Sequence, residues 1–145
     1  MSDESIRVVE IERTGARHYA ARNTRGGVIQ IGSGEGDTFT PVELFLAAIG
    51  ACTGIDVDLI TSKRSEPTVF RVRVTGTKIR DDAGVNRMEN LEVAFTVAFP
   101  EGEAGDAARA VLDRSVRMSH DRLCTVSQTV ERGTEVAIAI NSAPS

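Results

Sequence analysis

The stretch AAIGACTGIDVDLI, residues 47–60, places a cysteine between two glycines inside an apolar run. Gly50 and Gly54 each cost a helix about 1 kcal/mol relative to alanine. Two such residues around Cys52 imply either that another element packs very close to the backbone or that the thiol must be reached. The run has a clear start in TPVE. There Thr40 can cap, Pro41 suits the first helical position, and Glu43 falls where a capping box needs its carboxylate. From that point Phe45, Ile49, Cys52, Asp56 and Leu59 recur at helical spacing, as do Val42, Leu46, Ile49, Thr53 and Ile60. So wide an apolar stripe predicts a helix buried on most sides, ending near the cations Lys63 and Arg64. Glu43, Asp56 and Asp58 within the run argue for a core helix rather than a membrane span.

Outward from this helix the signals change to strands. Upstream, SIRVVEIER (5–13), HYAARN (18–23) and VIQIG (28–32) read as strands joined by TGAR and TRGG turns. GSGEGDT reads as a surface loop, because its glycines lack the spacing of a dinucleotide fingerprint. Downstream, VFRVRVTGTKI (69–79) sets Phe70, Val72 and Val74 against Arg71 and Arg73. LEVAFTVAFP (91–100) sets Leu91, Val93, Phe95, Val97 and Phe99 against polar and small residues. DDAGVNRMEN (81–90) is the expected hairpin loop between them. A helix is expected from Gly105 to Ser119 with Ala108, Val111, Leu112, Ser115 and Met118 inward. A short helix CTVSQTVE follows, broken by Gly133 before a last strand, EVAIAI. Helices and strands do not alternate, so the class is α+β with an antiparallel sheet rather than a doubly wound parallel one.

The totals fit one domain spanning 1–145. A chain of 145 residues with 41% hydrophobic and 26% charged residues has an ordinary globular balance. A formal charge of −4 without a basic block argues against nucleic acid as a partner. The start MSDESIRVVEIER lacks the basic and apolar regions of a secretory signal, and no membrane association is expected. The expected location is the cytoplasm, where two cysteines do not form a permanent staple and a bond between them would be transient and catalytic.

Cys52 and Cys124 carry the candidate chemistry. Each has an ordinary alternative as a buried small hydrophobe. Asp56, one turn beyond Cys52 on the same stripe, would raise the thiol pKa and suppress the thiolate, so a reactive Cys52 needs a cation. Arg17, Arg22 and Arg25 in the first hairpin are the candidates, against the ordinary fate of a solvated surface charge. Cys124 opens a short helix, whose free N–H groups favour a thiolate. A zinc site from Cys52, Cys124, His18 and His120 lacks any finger or ribbon spacing, so no metal is expected. No GxSxG elbow is present for a serine hydrolase.

TPVELFLAAIGACTGIDVDLI and SHDRLCTVSQTV together resemble the OsmC/Ohr family, across essentially the whole chain. GIDV after Cys52 and the SHDRLC lead-in look more like its less characterised OsmC-like subgroup than its organic hydroperoxide resistance branch. The resemblance implies an intertwined homodimer with a long central buried helix and sites at the subunit interface. It implies reduction of organic hydroperoxides in oxidative stress defence, with no cofactor. Cys52 would be the peroxidatic cysteine and Cys124 the resolving one, passing through a sulfenic acid and a disulfide that an external dithiol, of lipoyl type, reduces. Arg17 or Arg22 would match the family's hairpin arginine. The peroxidase branch has a glutamate directly after the helix-start proline; here that position is Val42, and Glu43 lies about 100° further round the helix. Two readings follow. One is a thiol peroxidase supported by Glu43 and Asp56. The other is a non-catalytic module of the same fold that binds a small apolar or electrophilic ligand or senses redox state.

Overall fold

A computed structural model describes residues 4–143; the first three residues of the N-terminal segment read above lie outside it. Residues up to Ala47 form one compact unit and those from Ala48 onward a second.

In the first unit, β1 (Glu10–Gly15), β2 (His18–Arg22) and β3 (Val28–Ile31) form an antiparallel sheet in that order. The strand expected over 5–13 begins only at Glu10, because Glu10 pairs with Arg22, the last residue of β2, where the ladder of the described residues ends. The β2–β3 turn is held by Asn23, whose Oδ1 accepts from the N–H groups of Arg25 and Gly27 at 2.9 Å. Helix α1 (Pro41–Thr61) starts with a reciprocal capping box. The Thr40 N–H donates to Glu43 Oε1 at 2.9 Å, and the Glu43 N–H donates to Thr40 Oγ1 at 3.2 Å. At the other end, Arg64 Nη1 donates to the Ile60 carbonyl at 3.3 Å, a cation where the helix dipole favours one.

The second unit pairs β4 (Val69–Arg80) with β5 (Asn86–Ala98) in a long antiparallel ribbon. Val72 lies opposite Phe95, and Phe70 meets Phe95 edge to face at a centroid distance of 6.2 Å. The glycines of α1 face this ribbon. A Cβ on Gly50 would lie 2.5 Å from Val74 Cγ2, and one on Gly54 would lie 3.5 Å from Val72 Cγ2. Close approach of a strand therefore accounts for Gly50, whereas a side chain at Gly54 would make only ordinary contact. Cys52 sits two positions from each, about 200° round the helix, so its sulfur points away from β4.

The hairpin loop is shorter than expected. Asp81 Oδ1 accepts from the N–H groups of Ala83 and Val85, Gly84 takes φ 80°, and β5 resumes at Asn86. Asn86 to Glu89 of the polar run NRMEN thus pair with β4, Met88 and Glu89 half-buried, and a register shift follows near Gly76, with Asn90 at φ 54°.

Helix α2 (Glu103–Met118) buries Gly105, Ala108 and Ser115, whereas Met118, expected inward, is 44% exposed. The reason is one turn of π-helix at Ser119–Leu123, which turns Ser119 rather than Met118 into the interior. Helix α3 (Thr125–Arg132) then ends at Gly133 in the left-handed conformation, φ 62°. The last strand expected over EVAIAI does not form among the described residues: the segment pairs with none of the strands there, and Val136, Ile138 and Ile140 are exposed. Alternation gives a strand two faces, but a ladder also needs an edge to pair with. Helix α1 itself buries one stripe, Ile49, Thr53, Val57 and Thr61 among it, while Ile55 and Leu59 remain exposed in the single chain. It is long and apolar enough to cross a membrane by length and composition alone.

Candidate thiol site

The site lies in the second unit, where α1 meets the N-terminus of α3. Cys124 is the N-cap of α3, and its side chain accepts the Ser127 N–H at 3.4 Å. The first turn of a helix has N–H groups without partners, and here the Ser127 N–H goes to the Cys124 sulfur, while the Val126 N–H acts on the titration of Cys52. Both cysteines are free thiols, close enough that each acts on the other's titration. Cys52 is half-buried and Cys124 fully buried.

Their environments differ. Around Cys124, Thr53 Oγ1 lies 3.4 Å from the sulfur and Ser127 Oγ lies 3.2 Å from it. Burial pushes the Cys124 thiol up. The Ser127 and Thr53 hydroxyls, the Ser127 N–H and the Cys52 thiol together hold it below the ordinary thiol value. Burial pushes the Cys52 thiol up as well. Relief comes from the Val126 N–H alone, and the Cys124 sulfur and the Asp56 carboxylate add to the rise. Of the two, Cys124 is therefore the more acidic thiol.

The other expected site residues have partners of their own. Asp56 Oδ2 accepts from the Ser119 hydroxyl at 2.7 Å, which satisfies a fully buried side chain in the π-turn. Glu43 is engaged in the capping box. Arg17, in the β1–β2 turn at φ 60°, makes an exposed ion pair with Glu35 at 3.0 Å. Arg22 and Arg25 are exposed in the same unit.

Behind Cys124, Thr53 and Ser127 line a cavity of about 390 Å³ with apolar walls including Ile49, Phe95, Val116 and Val130. Cys52 does not line it. His120 stands at the rim between two carboxylates, Nδ1 3.0 Å from Asp121 Oδ1 and Nε2 3.1 Å from Glu131 Oε1. Only the imidazolium can donate on both sides, and the Asp121 bond, against some burial and with help from Glu131, raises its pKa. His18, far from this role, bonds the Ala16 carbonyl in its own hairpin at 2.8 Å.

Thr53 and Ser127 were not singled out by sequence. Their signal was there in part. Ser127 follows Cys124 by three positions, the spacing at which a cap meets its helix, but Thr53 reaches Cys124 only through the tertiary fold.

The match to a family model decides the relationship: residues 34–139 fit the model described as OsmC-like protein. The chain belongs to the OsmC-like family. An uncharacterised protein of Mycobacterium tuberculosis (strain H37Rv) is 32% identical to this OsmC-like chain over 132 residues, covering 90% of the chain and 93% of the relative. Among solved structures, an OsmC-like protein of unknown function from Vibrio cholerae superposes with TM-score 0.74 at 15% identity, covering 88% of this chain and 95% of that one. The organic hydroperoxide resistance protein OhrB of Bacillus subtilis superposes with TM-score 0.52 at 15% identity, covering 84% and 90%. These likenesses confirm the OsmC fold, and both cysteines lie within the matched family segment.

Proposed function

We propose that this OsmC-like protein is a thiol-dependent peroxidase that reduces organic hydroperoxides through a Cys52–Cys124 disulfide. One observation carries the reading: the fold brings two distant cysteines together at one helix N-terminus, one half-exposed and one held as the more acidic thiol. The organic hydroperoxide resistance of the Bacillus subtilis structural neighbour supports it.

The chemistry uses the asymmetry of the pair. Cys124 thiolate takes the proton from the Cys52 thiol, and the Cys52 sulfur attacks the distal peroxide oxygen. The O–O bond breaks, the departing alkoxide takes the proton back from Cys124 and leaves as the alcohol, and Cys52 becomes a sulfenic acid. Cys124, again a thiolate, attacks that sulfur, the hydroxide takes a proton from solvent and departs as water, and the disulfide forms. An external dithiol, proposed to be of lipoyl type, restores both thiols by exchange.

Treating the reduced protein with one equivalent of cumene hydroperoxide, then mapping peptides without reduction, is expected to show loss of two hydrogens and a Cys52–Cys124 link. No link, with Cys52 still open to alkylation, would discard the peroxidase. The same outcome would favour the ligand-binding reading, which Val42 in place of the peroxidase branch's glutamate and the raised Cys52 thiol support.

We further propose that the working form is a homodimer. Ile55 and Leu59, one helical turn apart on α1, are 61% and 60% exposed, and the alternating Val136, Ile138 and Ile140 pair with no strand among the described residues. Sedimentation equilibrium is expected to return twice the chain mass. Replacing Leu59 with lysine should shift it toward the monomer, and a wild-type protein that sediments as a monomer would rule the dimer out.

A further inference from the structure

The hydroxyls around Cys124 have more work than a structural contact requires. Thr53 Oγ1 has one proton and two acceptors in reach, the Ile49 carbonyl at 3.2 Å and the Cys124 sulfur at 3.4 Å. Ser127 offers Cys124 both its N–H and its hydroxyl, at 3.4 and 3.2 Å. When Cys124 is a thiol, its own S–H donates to Ser127 Oγ, and Thr53 can turn to the Ile49 carbonyl. When the sulfur carries negative charge, the same rotors turn and it receives the Thr53 hydroxyl, the Ser127 hydroxyl and the Ser127 N–H. Hydrogen bonds to an ionised sulfur in a buried site are the strong kind. These donors go to Cys124, whereas for Cys52 only the Val126 N–H works to lower the pKa.

We propose that Thr53 and Ser127 are positioning residues that make Cys124 the leaving sulfur, so that an external dithiol opens the Cys52–Cys124 disulfide by attack at Cys52. This rests on the two-cysteine reading and adds the direction of the reductive half. Access gives the same direction: Cys52 is half-buried, and Cys124 has no exposed surface. In the step itself, one thiolate of the dithiol forms a bond to the Cys52 sulfur. The S–S bond breaks, and its electron pair goes to Cys124, where the hydroxyls and the N–H receive the charge. The second thiol of the dithiol then attacks its own sulfur in the mixed disulfide. Cys52 leaves as a thiolate and takes up a proton, and the dithiol departs as a cyclic disulfide. Exchange is faster when the departing thiolate is the more stable one, so the cradle accelerates one of the two possible openings.

The test starts from protein oxidised with diamide, which makes the disulfide without any hydroperoxide. A short pulse of 2-mercaptoethanol, an acid quench and alkylation of the unfolded chain are expected to leave the mercaptoethanol adduct on Cys52 and the alkyl group on Cys124. Adduct on Cys124 would overturn the proposal, as would failure of diamide to join the two sulfurs. Thr53→Val keeps the shape and removes the donor, and is expected to slow opening about tenfold; Thr53→Ser restores the hydroxyl and most of the rate. Ser127→Ala should slow it similarly. In the reduced protein, Thr53→Val should move the lower ultraviolet thiolate titration upward, which a merely structural role would not do. Unchanged opening rates in both Thr53→Val and Ser127→Ala would sink the cradle. A link that forms with diamide but never with cumene hydroperoxide would instead remove the peroxidase and leave the cradle standing.

Discussion

Exchanging Cys52 for serine is expected to abolish hydroperoxide consumption, at least a thousandfold below the unaltered protein on the scale of lost covalent catalysis. Serine keeps nearly the size, but its hydroxyl oxygen, unlike a thiolate sulfur, cannot be oxidised by accepting the distal peroxide oxygen. The Cys124→Ser variant should behave differently. It retains the half-exposed sulfur, so one equivalent of peroxide can still be consumed, and the product stops at a Cys52 sulfenic acid that a dimedone-type probe captures. It should also react more slowly, since the neighbour that accepts the Cys52 proton is gone. Stopped-flow consumption of cumene hydroperoxide with probe mapping distinguishes the two. Full turnover by Cys52→Ser would reverse the assigned roles, and failure of Cys124→Ser to trap any oxidised Cys52 would remove Cys52 as the first site of attack.

The largest loss of stability is expected from Gly105→Ala. Alanine ordinarily gains a helix about 1 kcal/mol over glycine. At this position in α2 the added Cβ would overlap the Pro100 carbonyl oxygen, and its carbonyl carbon would lie 2.9 Å away. A side chain can swing aside; a backbone carbonyl leading into the same helix moves only with the helix. Overpacking of this sort costs about 3 kcal/mol or more, a large fraction of the 5–15 kcal/mol that holds an ordinary domain together. Urea denaturation should show the midpoint falling with the slope unchanged. A variant as stable as the parent would mean that α2 and Pro100 do not approach in this way.

Much of the fold could be read locally because its signals are local. The Thr40–Glu43 capping box, the alternation of β4 and the Gly133 stop depend on residues within a few positions of one another. Three features could not be read so. NRMEN looks like a loop because it is polar, yet Asn86 to Glu89 pair along β4. EVAIAI has every mark of a strand except something to pair with among the described residues. Met118 lost its inward place to Ser119 because of a π-turn that helical periodicity cannot anticipate. At the site, the cysteines were visible and so was the carboxylate near them. Sequence placed Asp56 beside Cys52 but could not show that its main partner is the Ser119 hydroxyl. Nor could it show that Cys124 has more hydrogen-bond partners than Cys52, since one of those three is Thr53 on another helix.

The π-turn at Ser119–Leu123 also limits how the length of this chain can drift over generations. It is the one stretch of wide helix between α2 and Cys124, and its spare residue sets the angle at which α3 begins. Deleting any one of those five residues would let α2 run on as ordinary helix and would carry Cys124 about 100° away from Cys52. Descendants that keep both sulfurs in use should therefore vary freely in loop length around Gly34 or Gly84, yet show neither insertion nor deletion between Ser119 and Cys124. The spacing there is inherited as a unit.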